Sequence, residues 1–386
     1  MKYKKTAGFL LAAAMCQALA PVRAYAGSPE FAYTAEKWAS LRDNTLEYDE
    51  IADLIHEYNN TVIQNQIEYA DYRGEDRDDI SDDYYEAAQD ILNSLDYPDA
   101  DSSNYASGLS SYLSGQIQAD NLTEQGDDNV DDGYTKKLGY DKEEAQLVKE
   151  AQGLMISYWS QAKTLESLEK AEELAKTSCQ SVETKLSAGL STQAEVLSAR
   201  EAVTSAEASL LSAQSALEKT KETLCLMLGW SYGAEVAIGD VPEPDLEAVA
   251  AIDLEADVEA GLAANYELRI LERQISYARN QSNKASLEET YKSRKETAAS
   301  DIKSGYRSLL LAKSDYEQAL QAHATAQDSL STAARRLQAG TITPKAYAAQ
   351  ESAAVTAQVN AQVKELALFQ AQLEYQWAVN GLAAVT

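Results

Sequence analysis

Between residues 193 and 228, apolar side chains fall on a seven-residue repeat: Val196, Val203, Leu210, Leu217 and Leu224, with Ala199, Ala206, Ala213, Thr220 and Met227 each three places on. A second stretch does the same with Ile302, Leu309, Tyr316, His323, Leu330 and Leu337, followed at three places by Gly305, Ala312, Ala319, Ala326 and Ala333. A large/small seam over four or more heptads predicts coiled-coil packing with closely approaching backbones. At about 1.5 Å per residue, the stretch 285–338 becomes a helix of roughly 80 Å, too long for a compact globule. Helical periodicity also covers residues 34–70, with Leu41, Ile51, Leu54, Ile55, Ile63 and Ile67 apolar, and Lys142 to Leu186. It resumes near Leu254, with an interruption expected near Gln281–Ala285, and a last helix runs from Pro344 to about Val379. Residues 229–253, with Gly229, Gly233, Gly239, Pro242 and Pro244, read as a loop or short strands.

The two breaks within the periodic stretches are copies of each other. Lys185-Leu186-Ser187-Ala188-Gly189-Leu190-Ser191-Thr192 aligns without gaps on Arg336-Leu337-Gln338-Ala339-Gly340-Thr341-Ile342-Thr343, 151 residues later. Each offers a basic residue near a helix C-terminus, a glycine free to take positive φ, and a threonine to cap the next helix. Thr192 with Glu195 predicts a capping box, and Pro344 suits a first helical position. Upstream, Ile67-Glu68-Tyr69-Ala70 matches Ile275-Ser276-Tyr277-Ala278, which leaves the first copy 57 residues longer than the second.

Charge locates the excess. Residues 71–133 hold 18 Asp or Glu against Arg73 and Arg77, and read as a solvated acidic insertion with one short helix near Tyr84–Leu95. The whole chain carries −29. Nucleic acid and anionic lipid surfaces are therefore excluded as direct partners. Lys2, Lys4 and Lys5, the apolar run Gly8 to Ala20 and the site Ala24-Tyr25-Ala26 read as a signal peptide of residues 1–26, which implies export. The run is too short to span a bilayer. Cys16 lies within it; Cys179 and Cys225 stand at different heights of the expected hairpin, so no disulfide is expected.

Candidate chemistry is sparse. There is no Ser/His/Asp set, paired-cysteine zinc site or phosphate loop, so no catalytic residue, metal or cofactor is expected. His323 sits on the heptad seam as a packing residue. The acidic run from Asp127 to Gly133 fails as a calcium loop, with Asp132 where glycine is required and Leu138 where glutamate is required.

The tandem hairpins, Ala188-Gly189-Leu190 followed by Glu195-Val196-Leu197-Ser198-Ala199, and the turn Ala339-Gly340-Thr341 resemble the TolC-type outer-membrane efflux proteins. Leu228-Gly229-Trp230, Asp240-Val241-Pro242 and Ala264-Asn265-Tyr266-Glu267-Leu268 are similar to that family's inter-repeat linker and second half. Ala346-Tyr347-Ala348 departs from its acid-Val-Leu run. The resemblance implies an all-α fold of two tandem helical-hairpin repeats, closed by three protomers into an α-barrel. It implies adaptor-docking tips at Ala188, Gly189, Leu190, Ala339, Gly340 and Thr341, with Glu195 as a tip or pore acid. It further implies a homotrimer in the cell envelope, working with a periplasmic adaptor and an inner-membrane transporter in efflux or secretion. Family members also pool two membrane strands per repeat into a barrel. Between Ala278 and Ile302, and through 71–133, no alternating pattern supports such strands, so the barrel is expected to be missing. The expected organisation is 1–26 signal peptide, 27–70 first helical segment, 71–140 acidic insertion, 141–228 first hairpin, 229–253 linker and 254–382 second repeat. A coiled-coil envelope scaffold or binding protein without a pore is the alternative.

Overall fold

The computed structural model describes residues 33–41, 43–101 and 103–386. The signal-peptide reading and Cys16 lie outside these residues. The chain runs α1 (Ala35–Ser40), β1 (Thr45–Leu46), α2 (Ile51–Tyr58), α3 (Asn60–Tyr72), α4 (Arg77–Ser94), α5 (Tyr105–Asp128), α6 (Gly133–Ser187) and α7 (Gln193–Met227) in its first half. The second half runs β2 (Ala237–Ile238), α8 (Leu246–Ala250), α9 (Leu254–Ala264), α10 (Tyr266–Tyr277), α11 (Gln281–Gln338) and α12 (Pro344–Trp377), ending in a π-turn over Ala378–Leu382. Among the described residues, strand is confined to β1 and β2, which pair in parallel through Thr45 with Ala237 and Leu46 with Ile238.

The fold is all-α, and four long helices define it. α6 pairs with α7 and α11 with α12 as two antiparallel hairpins, and α6 packs on α12 to join them. The row therefore reads α7–α6–α12–α11. The heptad seams are the glue: every seam position on α7 from Val196 to Met227, and on α11 from Ile302 to Leu337, is buried or half-buried. The alanines let the backbones close in while the larger residues interlock. At about 1.5 Å per residue, α6 and α11 each reach some 80 Å.

Away from the tips, two hydrophobic cores join the long helices to the shorter elements. The first gathers Leu46, Ile51, Leu54 and Ile55 with Met155, Leu224 and Leu228. The second gathers Ile302, Leu309, Leu368 and Tyr375 with Val249. Trp377 links the halves by packing at the edge of the first core and donating from Nε1 to Gln152 Oε1 at 2.9 Å.

Several boundaries differ from the sequence reading. The stretch 34–70 is three helices, because β1 and the 3-10 turn at Tyr48–Glu50 interrupt it and Asn59 starts a new helix. The interruption expected near Gln281–Ala285 falls instead on residues 278–280, where Asn280 caps α11. α6 starts at Gly133 rather than near Lys142, because Asp132 and Thr135 form a capping box there. The acidic stretch holds two helices, not one short one. α4 starts on an Asp76/Asp79 capping box, with Asp78 and Asp79 in the first turn where the helix dipole favours carboxylates. α5 lies against it by close approach: a Cβ on Gly115 would stand 2.3 Å from Leu95 Cδ2, and one on Gly126 2.5 Å from Tyr85 Cε1.

Candidate functional site: the hairpin tips and the opposite end

The first tip ends α6 with three backbone bonds in series. Ala188 N–H donates to Thr184 O, Gly189 N–H to Leu186 O at 2.9 Å, and Leu190 N–H to Lys185 O at 2.8 Å. The second tip repeats all three, from Ala339 N–H to Arg335 O at 3.0 Å, Gly340 N–H to Leu337 O at 2.9 Å and Thr341 N–H to Arg336 O at 2.9 Å. This is a Schellman closure, and it needs a left-handed residue. Gly189 (φ 71°) and Gly340 (φ 68°) supply it. Ala188 and Ala339, the preceding residues, end the two helices as their C-caps. Leu190 is left 78 % exposed at the end of its hairpin, and Thr341 donates its hydroxyl back to Arg336 O at 3.0 Å.

Glu195 closes the next helix start. Its carboxylate accepts from Ser191 Oγ at 2.6 Å and from the Thr192 amide at 2.7 Å, while Thr192 Oγ1 accepts from the Glu195 amide. The Ser191 bond, followed by those of Thr192, holds the Glu195 carboxyl below its ordinary range. One side chain thus keeps a fixed negative charge at the tip and caps α7. At the other tip Thr343 caps α12 with its hydroxyl and Pro344 takes the first helical position, with no acid equivalent to Glu195.

The opposite end is built around Asp132, which is 2 % exposed. Its Oδ2 accepts from Arg273 Nε at 2.8 Å, from Arg273 Nη2 at 2.6 Å and from the Tyr277 hydroxyl at 3.0 Å. Its Oδ1 takes the Thr135 amide at 2.8 Å. Burial alone would raise this carboxyl; the Thr135 amide, Arg273 and Tyr277 outweigh it and lower it. Gln274 donates to Asp131 at 2.9 Å and Arg279 to Asp78 at 2.6 Å, so α10 and the corner that follows it hold the base of the α4–α5 hairpin. Arg77, buried, donates to the carbonyls of Asp127 and Asn129 and pins α4 to the end of α5. Asp127, at the head of the acidic run, accepts from the Tyr85 hydroxyl.

Sequence reasoning missed two asparagines that the repeats share. Asn59 caps α3 and donates from Nδ2 to Met227 O at 2.9 Å; Asn265 caps α10 and donates to Ala383 O at 3.0 Å. Each ties the short helix of its repeat to the end of the return helix. A turn asparagine before a helix is the only local signal, and Asn265 lies within the run Ala264-Asn265-Tyr266-Glu267-Leu268. Cys179 and Cys225 are both buried free thiols.

The segment between α3 and α6 spans residues 73–132, whereas α10 and α11 are separated by residues 278–280 alone. At the first junction stands the helical hairpin α4–α5, and at the second a tight corner. No helix among the described residues is long and apolar enough to cross a membrane.

No protein-family model matches the chain, and none of the curated proteins matches it either. Among solved structures it is similar to a membrane protein from Pseudomonas aeruginosa, at 13 % identity and a TM-score of 0.54, covering 86 % of this chain and 93 % of that one. It is similar also to the outer membrane protein VceC of Vibrio cholerae, at 11 % identity and a TM-score of 0.52, over 86 % of this chain and 96 % of the other. CusC, a protein described as forming a transmembrane channel, matches at 12 % identity and 0.52, over 91 % and 96 %. The chain therefore has the tandem helical-hairpin fold of the TolC-type outer-membrane channels.

Proposed function

We propose that the chain is a conduit component of the cell envelope, in which three protomers close their helical rows into a tube of twelve long helices. The observation that carries this is the open row itself. Its two outer helices keep leucines in solvent: Leu197, Leu211 and Leu226 on α7, and Leu310, Leu311 and Leu320 on α11. Both edges thus present exposed leucines among the described residues, and joining α7 of one protomer to α11 of the next would cover both sets. No chemistry is required of such an object; its function lies in shape and in docking. The tips, with Leu190 and Thr341 at the hairpin ends and Glu195 beside them, then face a periplasmic adaptor that couples the tube to an inner-membrane transporter. Changing Leu190 and Thr341 together to Asp should abolish adaptor binding in a pull-down with a periplasmic adaptor from the same organism, while helicity and trimer mass stay as in the wild type. Normal binding by that double variant would reduce the tips to well-capped turns.

A further inference from the structure

The α4–α5 hairpin stands at the end of α6 opposite the tips, and its two helices pack chiefly on each other. Its charge is sharply divided. Residues 77–128 carry thirteen Asp or Glu and one Arg, yet residues 102–119 carry no charge at all. The acids lie on α4, on the connection and on the last turns of α5.

α5 also bears two seams at alternating spacings of four and three. Gly108, Tyr112, Gly115, Ala119, Leu122 and Gly126 form the seam turned to α4, where Gly115 and Gly126 permit the close approach described above. Ala106, Ser110, Leu113 and Ile117 form the other, and all four are exposed, Leu113 by 47 % and Ile117 by 60 %. Leu113 and Gly115 are two residues apart, about 200° around a helix of 3.6 residues per turn, so the two seams lie on opposite faces.

We infer that this second seam meets its own copies, so that three α5 helices pack around the trimer axis and cap the tube with a helical bundle. The inference rests on the trimeric reading above. Around a three-fold axis, identical positions on parallel helices come together, which suits a seam of small and aliphatic residues and forbids a charged one. The uncharged face is the one part of the hairpin that can approach its copy without bringing carboxylates together, and the acidic face of α4 then points outward. An anionic lipid surface would be repelled by those same carboxylates. The three helices then close that end with protein alone.

Cysteine cross-linking of the mature chain tests this, since Cys179 and Cys225 are buried. Under mild oxidation Ile117→Cys should give a covalent dimer within the trimeric species, and Asp90→Cys, on the acidic face of α4, should give none. The double variant Leu113→Asp/Ile117→Asp should keep its helicity and dissociate at a concentration at least tenfold higher. A trimer in which Ile117→Cys stays uncross-linked overturns the inference and leaves the tube standing. A wild-type chain that is monomeric by native mass overturns both. Co-flotation of the wild type with phosphatidylcholine vesicles, lost in the double variant and without any cross-link, would make lipid the occupant and overturn the bundle.

Discussion

Replacing Asp132 by Asn tests whether the two repeats are locked together at the end opposite the tips. The Asn side chain can still accept the Thr135 amide, but its remaining amide group would face the Arg273 guanidinium, donor against donor. The paired bonds of 2.6 and 2.8 Å are lost, while the Tyr277 hydroxyl can rotate to a new partner. Breaking a buried ion pair by removing one partner costs about 3–5 kcal/mol. Arg273 is 43 % exposed and returns to water when released, which brings the expected cost to about 2 kcal/mol. For a chain of this length that corresponds to a fall of about 2–3 °C in melting temperature. The pH dependence adds a second signature. The Asp132 carboxyl is lowered in the folded state, so its contribution is present above the unfolded value of about 3.9 and is lost as pH falls through the folded value. Thermal melts of wild type and Asp132→Asn, followed by circular dichroism at 222 nm, should therefore differ at pH 7 and converge in acid. Equal melting temperatures at pH 7, or a gap that persists unchanged to pH 2, would refute the reasoning.

His56 should work in the opposite sense. Burial, the largest effect, pushes its ring down, but the 2.8 Å contact with Glu144 and the charges of Glu144, Glu57 and Asp53 together raise it. Its contribution is thus complete below about pH 6.5 and fades as pH rises through the folded value, so a melting profile from pH 6 to 9 should lose that alkaline slope in His56→Gln. Asn265→Ala removes the cap of α10 and leaves Ala383 O without its donor, with an expected loss of about 1–3 kcal/mol by urea titration. Gly189→Val forces a β-branched residue to positive φ and should cost about 1–2 kcal/mol by the same titration, with the far end of α6 unaffected in hydrogen exchange.

The long helices were legible because their seams repeat over many turns, and each seam residue meets a neighbour fixed by the same period. The tips were legible because a left-handed closure narrows the choice to glycine, flanked by a basic residue and a capping threonine. α5 was not, since Ser, Gly and Asn are poor helix formers, and its helix exists through glycine contacts with Leu95 and Tyr85 on another element. The early start of α6 was hidden for a related reason. Asp132 looks like one more surface acid until Arg273, 141 residues away, is brought beside it. Arg77 likewise gives no local sign that its guanidinium binds the carbonyls closing α5.

The central claim is that open helical rows close on each other, and imaging of the chain from Gly27 onward by single-particle cryo-electron microscopy tests it most directly. The account predicts three-fold particles with twelve long helices around a lumen, α7 of each protomer lying along α11 of the next. Monomers, or pairs closed without a lumen, would contradict it.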